Sequence, residues 1–271
     1  ERASHLLPQV QKSRSFNYNQ AVEGCRLILW GMFKKVVIAD SLAGIVDEIF
    51  QNYQEHNGVT LIVGAIAFSF QIYGDFSGYS DIALGTAKLF GFELLSNFKF
   101  PYFSRDVAEF WRRWHISLST WFRDYLYVPL GGSRGSTWMK VRNTFIIFIV
   151  SGFWHGANWT FIVWGTLNAI YFLPLLLTNS NRNNIDNIAQ GNFFPSIKEF
   201  FLMLITFSMT VLAWIFFRSE NIGHAISYIT TIFSSSLFSV PEILPLNLLA
   251  ILFSFIFIEW LGREGQFAIS R

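Results

Sequence analysis

The chain has 271 residues and a formal net charge of +2, and it is 52% hydrophobic with only 14% charged residues. A soluble domain carries about 25% charged residues, so the bilayer is the leading solvent, and so small a positive charge does not imply a nucleic-acid partner. One cysteine, Cys25, excludes an internal disulfide framework and a cysteine metal cluster, and is expected as a small buried hydrophobe.

The first residue is Glu1, and no basic-apolar-small signal pattern follows it, which reads as a fragment of something longer. Residues 22–43 alternate apolar faces with Arg26, Lys34 and Lys35, a pattern suited to a helix lying on the membrane surface. Residues 59–73 form an apolar run that ends in "GDFSGYSD", expected as a polar break between helices that lines a cavity. Residues 99–142 hold eight of the twenty lysines and arginines against Asp106, Glu109 and Asp124, so this segment is expected to face the cytoplasm.

Residues 143–181 contain no Asp, Glu, Lys or Arg. As one helix they would extend about 58 Å against a hydrocarbon core of about 30 Å. They must therefore cross twice or break inside the membrane, and "SGFWHGANW" places the break between Gly152 and Gly156. Residues 178–192 read as a polar loop. Residues 200–217 and 243–258 are two further charge-free candidates for spans, the second followed by Glu259 and an interfacial Trp260. The pattern predicts an all-α, multi-pass transmembrane helical bundle with interfacial amphipathic helices and no separate soluble domain over 1–271.

Two histidines stand out. His155 has no strongly ionisable neighbour for a dozen residues on either side. Ionisable groups at membrane depth are costly and usually face a cavity or pathway. The plainer alternative is a neutral imidazole that donates one hydrogen bond to a helix carbonyl. A desolvated, neutral imidazole beside a hydroxyl is a general base, and flanking glycines allow close approach.

His115 lies in "FWRRWHISLSTWFRDYLYVPLGG", where aromatic residues are interleaved with Arg112, Arg113 and Arg123. On one helix, Trp111, Leu118, Ser119 and Phe122 would share its face. Two readings stand: a surface helix whose arginines meet anionic headgroups, or a cytoplasmic mouth whose arginines bind phosphates.

Other features read as ordinary. "GGSRG" at 131–135 has the spacing of a nucleophile elbow, but it follows Val128-Pro129-Leu130 in a basic segment, so a turn is expected. Asp75 and Asp81 lack metal-ligand spacing. His5, His56 and His224 are expected as surface residues.

Five segments carry a resemblance: "ERASHLLPQ", "GMFKKVVIADSLA", "QIYGDFSGYSDIALGTAKLFGFEL", "FWRRWHISLSTWFRDYLYVPLGGSR" and "SGFWHGANWTFIVWG". Together they resemble the membrane-bound O-acyltransferase family, in its bacterial branch related to alginate O-acetyltransferase. The resemblance implies acyl transfer from a cytoplasmic donor, acetyl-CoA or another acyl thioester, to hydroxyls of an exported polysaccharide within a ring of tilted helices. It implies His155 as the catalytic residue and His115 as the second hallmark, with no bound cofactor and no metal. Arg112, Arg113 and Arg123 are assigned to the donor on charge, with Trp111, Trp154 and Asn158 as further substrate contacts. Full members of the family carry more hydrophobic helices before the segment matching Glu1, so the 271 residues are expected to be a C-terminal portion, inactive alone.

The expected setting is the bacterial cytoplasmic (inner) membrane, with membrane lipid and periplasmic or membrane proteins of an acetylation complex as partners and no nucleic acid. D-alanyl transfer to teichoic acid is the alternative within the same chemistry. A non-catalytic transporter with His155 as a proton relay, or a scaffold of a secretion complex, is the alternative outside it. A relay should tolerate Asp or Glu at position 155, whereas an acyl-transfer base requires the imidazole.

Overall fold

The computed structural model describes residues 2–269, and among them every regular element is helical. After a short α1 (Ala3–Gln11), α2 (Tyr18–Met32) continues through a π-helical stretch (Phe33–Asp40) into α3 (Ser41–Gln51). Antiparallel to it runs α4 (Gly58–Leu89), started by Asn57, whose side chain accepts from the Thr60 N–H at 3.0 Å.

Glycines set how closely α2 and α4 meet. A Cβ on Gly24 would lie 2.7 Å from the Gly85 carbonyl oxygen, and one on Gly31 would lie 2.6 Å from that of Gly78. The approach buries Leu27, Trp30, Lys34 and Ile38, while Leu29 and Val36 face outward. The stretch 22–43 is therefore a close packing partner of α4, with one face buried against it. Lys34 is buried in an ion pair with Asp81 (2.7 Å), and Lys35 pairs with Asp75 (2.6 Å). "GDFSGYSD" correspondingly continues α4 without a break, because its small and polar residues are the face that α2 covers. Asp81 does line a cavity there, of about 580 Å³, together with Tyr73 and Glu259; no histidine reaches it. Cys25, expected to be buried, is exposed on the outer side of α2.

The charge-free stretch 143–181 forms a helical hairpin. α7 (Thr137–His155) and α8 (Trp159–Leu177) pack antiparallel, the turn falling at Gly156. Gly152 does not break α7. It lies inside the helix, where a Cβ would sit 2.3 Å from the Phe161 carbonyl oxygen, and on α8 a Cβ at Gly165 would sit 2.2 Å from that of Phe148.

Next, α9 (Ile197–Arg218), begun by a Ser196/Glu199 capping box, packs against both α8 and α4 and joins the two pairs. α10 (Ile222–Ile232) and α11 (Leu246–Gly262) complete the bundle. The core is aromatic: Trp164 stacks on Trp214 at 5.7 Å, and Phe255 meets Trp30 at 5.8 Å. α4, α8 and α9 are long and apolar enough to cross a bilayer, and α11 is a shorter apolar helix.

Candidate active site

Between α4 and α7 lie two short helices, α5 (Val107–Arg113) and α6 (Ile116–Phe122). The single helix expected here is broken at Trp114-His115, where His115 adopts a left-handed backbone (φ 44°) as the residue before α6. A non-glycine residue in that region carries strain of about 1–3 kcal/mol and is characteristic of functional positions. Despite the break, Trp111, His115, Leu118, Ser119 and Phe122 line one small chamber, and α7 closes it with Ser151 and His155.

His155 occupies the last turn of α7. Its ring meets Trp164 and Phe217 edge-on, each at 5.1 Å between centroids, and Trp154 at the same distance. These rings fix its orientation by packing. Among the described residues the His155 side chain makes no hydrogen bond, so the plainer reading of a histidine satisfied by a helix carbonyl does not hold. His115 is gripped by Phe76 at 4.6 Å, and its Nδ1 is buried without a partner. Burial, and secondarily the charge His155 would carry, push the His115 imidazole down to about 4 from its ordinary 6.5. It is therefore neutral at physiological pH. The chamber holds about 160 Å³. A site for a whole drug-sized ligand begins near 300 Å³, so this one admits a small group such as a short acyl chain and a hydroxyl.

A second cavity, of about 490 Å³, abuts the chamber and shares Ser119, Ile147 and Phe148 with it. Arg123, Lys140 and Arg182 line this vestibule, and no carboxylate does. Lys140 and Arg182 were not singled out by the sequence. The available signal was that Arg182 is the first charge after the thirty-nine-residue charge-free run.

The arginines of the aromatic string divide. Arg123 stands at the vestibule, its Nε donating to Asp124 at 2.7 Å. Arg112 donates to the carbonyls of Asn181 and Asn184, both at 2.8 Å. Arg113 is buried and pairs with Glu109 at 2.7 Å, donating also to the Asp186 carbonyl. Neither Arg112 nor Arg113 lines the chamber or the vestibule, and both donate to carbonyls of the loop following α8.

Trp154 is mostly exposed and lies outside the chamber lining. Asn158 is a structural residue: its side chain accepts from the Thr160 N–H to cap α8 and donates to the Glu220 carbonyl at 2.7 Å. Trp111 does line the chamber, but its indole nitrogen is buried and unpartnered.

"GGSRG" forms the expected turn, with Gly131, Gly132 and Gly135 at positive φ and the Asn143 side chain donating to the Leu130 and Gly132 carbonyls. His56 and His224 are less superficial than expected. The first contacts Glu242 at 2.9 Å, and the second stacks on Tyr53 at 4.4 Å. His5 lies beside Gln9 on α1.

Comparison with known proteins gives a consistent picture. The sequence profile of the MBOAT, membrane-bound O-acyltransferase, family matches residues 7–217. The "Probable alginate O-acetylase AlgI" of Pseudomonas aeruginosa is 40% identical over 235 residues, covering 87% of this chain and 43% of that protein. The peptidoglycan O-acetyltransferase of Helicobacter pylori is 37% identical over 225 residues, covering 82% and 41%. The teichoic acid D-alanyltransferase of Streptococcus thermophilus is 41% identical, but over 110 residues, 38% of this chain and 26% of that protein. The chain thus spans less than half the length of the curated relatives it matches.

Proposed function

Because this chain belongs to the membrane-bound O-acyltransferase family, we propose that it forms the reaction chamber and donor mouth of a multi-pass enzyme of the bacterial inner membrane. The enzyme transfers an acetyl group from a thioester, acetyl-CoA or a similar donor, to a hydroxyl of an exported polysaccharide. Proteins of an acetylation complex would deliver or receive the polymer. The observation carrying this reading is the pair of imidazoles on one small chamber, His155 with no hydrogen bond and His115 held neutral.

The chemistry follows from that pair. A ring nitrogen of His155 accepts the proton of the acceptor hydroxyl as its oxygen attacks the thioester carbonyl. The carbon–oxygen bond forms, the tetrahedral oxyanion collapses, the carbon–sulfur bond breaks, and the His155 imidazolium returns the proton to the departing thiolate. His115, strained and fixed by Phe76, orients one of the two reactants. The aromatic walls exclude water, which would otherwise hydrolyse the thioester. Arg123 offers positive charge to the donor phosphates at the vestibule.

The decisive experiment measures ester-linked acetate on the secreted polysaccharide of cells carrying the full-length parent, wild type against His155→Ala, at matched membrane levels. Loss of acetate with continued export is expected. Arrest of export, or unchanged acetate, would replace this reading by a transporter or scaffold. Ester-linked D-alanine in place of acetate would move the substrate to teichoic acid.

A further inference from the structure

The break between α5 and α6 is splinted from outside, and the splint leaves the His115 imidazole free of structural duty. A helix starts with backbone N–H groups that have no partner inside it, and the side chain of the residue before it usually accepts from one of them. Here that residue is His115, whose left-handed backbone (φ 44°, ψ 54°) is not the extended one of a capping residue, and its side chain caps nothing. Asn97 supplies the acceptors instead. Its carbonyl accepts from the Ile116 N–H at 2.9 Å, and its side-chain oxygen accepts from the Ser117 N–H at 3.2 Å, the first two residues of α6. Two residues on, the Lys99 N–H donates to the Arg113 carbonyl at 3.0 Å, at the end of α5. Residues 97–99 thus hold the chain on both sides of the break. Between the two holds, Phe98 is buried against Trp114 and Phe76, each at 5.1 Å, and Phe76 is the ring that meets His115. A strained backbone persists only where its surroundings over-determine it, and this stretch does so. Asn97 itself lines neither the chamber nor the vestibule.

We infer that Asn97 is the positioning residue for His115: by accepting from both leading N–H groups of α6, it relieves the imidazole of capping and holds it on the chamber. The competing arrangement lies close at hand. In one neutral tautomer the imidazole Nδ1 is an acceptor, and the His115 Nδ1 is buried with no partner of its own. Without the Asn97 side-chain oxygen, the Ser117 N–H would stand unpaired two residues after His115. Capture of that N–H by the ring would turn it away from the reactants. Asn97 acts through His115 and touches no reacting atom. The inference rests on the acyl-transfer reading for what His115 does, but not for how its ring is held.

The test uses the full-length parent at matched membrane levels. Asn97→Ala should lower ester-linked acetate on the secreted polysaccharide about ten- to a hundredfold, and Asn97→Gln, which moves the acceptor by one methylene, should lower it nearly as far. Asn97→Asp keeps an acceptor of the same reach, with a charge that a helix start favours, and should restore most of the loss. The placement of the ring is read without any acetate, by mass spectrometry of the parent treated with diethyl pyrocarbonate, which carbethoxylates accessible neutral imidazoles. His115 should react several-fold faster in Asn97→Ala and Asn97→Gln than in wild type or Asn97→Asp, while His155 keeps its wild-type rate; a general loosening of the fold would expose both. The double variant Asn97→Ala/His115→Ala should retain as much acetate as His115→Ala alone. Where Asn97→Ala does not reach the membrane, Asn97→Gln against Asn97→Asp carries the comparison. An unmoved His115 rate, equal exposure of both histidines, or an Asn97→Asp variant as defective as Asn97→Ala would overturn the inference. So would full acetate in Asn97→Ala where His115→Ala loses it, or additive losses in the double variant. A His115 rate that follows Asn97 in a parent whose His155→Ala and His115→Ala variants keep full acetate would leave the positioning standing and remove the acyl-transfer reading. Loss of acetate in His155→Ala with a His115 rate indifferent to Asn97 would do the reverse.

Discussion

The α2–α4 pair and the α7–α8 hairpin use the same packing device and treat their ionisable groups in opposite ways. In both, glycines bring two backbones so close that a Cβ would collide with a carbonyl. Within the first, Lys34 is sealed against Asp81 at 2.7 Å, and the Tyr73 hydroxyl of α4 donates to Glu259 of α11 at 2.8 Å. The second leaves His155 beside its turn with packing contacts only. A buried group with a partner belongs to the architecture, and one held in place without a partner is available for chemistry.

This contrast makes the two regions fail differently. The largest effect is expected for His155→Ala in the full-length parent, which should reduce acetate transfer by a factor of about 10²–10⁴, the usual worth of a general base, with unchanged thermal stability. A parallel loss of stability would erase the contrast.

Lys34→Met should do the opposite. It leaves Asp81 buried and unpaired, at a cost of about 3–5 kcal/mol, read from unfolding midpoints in mild detergent. Adding Asp81→Leu should recover most of that loss. Failure to recover would mean that the pair does more than balance its own charge.

Comparable in size is Gly165→Leu, whose Cβ would meet the Phe148 carbonyl oxygen at 2.2 Å and force α7 away from α8, at a cost of about 3 kcal/mol or more. Gly44→Leu, at a position with open space around it, should be nearly silent in the same measurement.

The smallest effect is a pH slope. The His115 imidazole sits at about 4 when folded and at an ordinary 6.5 when unfolded. Between those values the unfolded chain binds more protons, so stability is complete above 6.5 and is lost as pH falls toward 4. Replacing His115 with Gln should reduce the slope of thermal midpoints across that window, and an unchanged slope would place the burial elsewhere.

Much of this was legible in the residues. The charge-free runs at 143–181, 200–217 and 243–258 marked α7–α8, α9 and α11, because hydrocarbon tolerates few charges. Both histidines stood out, since an imidazole among apolar residues is a local signal. What misled was every feature whose explanation lies far along the chain. "GDFSGYSD" looks like a break until α2 is laid over it, and Lys34 looks like a surface charge until Asp81 is set opposite. Arg112 and Arg113 announce a ligand by their charge, yet their partners are carbonyls of the loop after α8, some seventy residues onward. The vestibule was illegible for the same reason: Arg123, Lys140 and Arg182 come together only when that loop docks on α5.

The length of α4 carries a consequence for the surrounding bilayer. Its 32 residues rise about 48 Å, and a tilt of about 40°, near the limit for spanning helices, still leaves about 37 Å along the normal against about 30 Å of hydrocarbon. The excess belongs to the polar end, where Lys88 pairs with Glu23 at 3.2 Å and Glu93 at 3.0 Å. With α4 crossing a bilayer, that cluster would come to headgroup level, and a thicker membrane would draw it toward the acyl chains. Bilayer thickness would act in this way on the end of α4 that leads into the basic segment of α5 and α6.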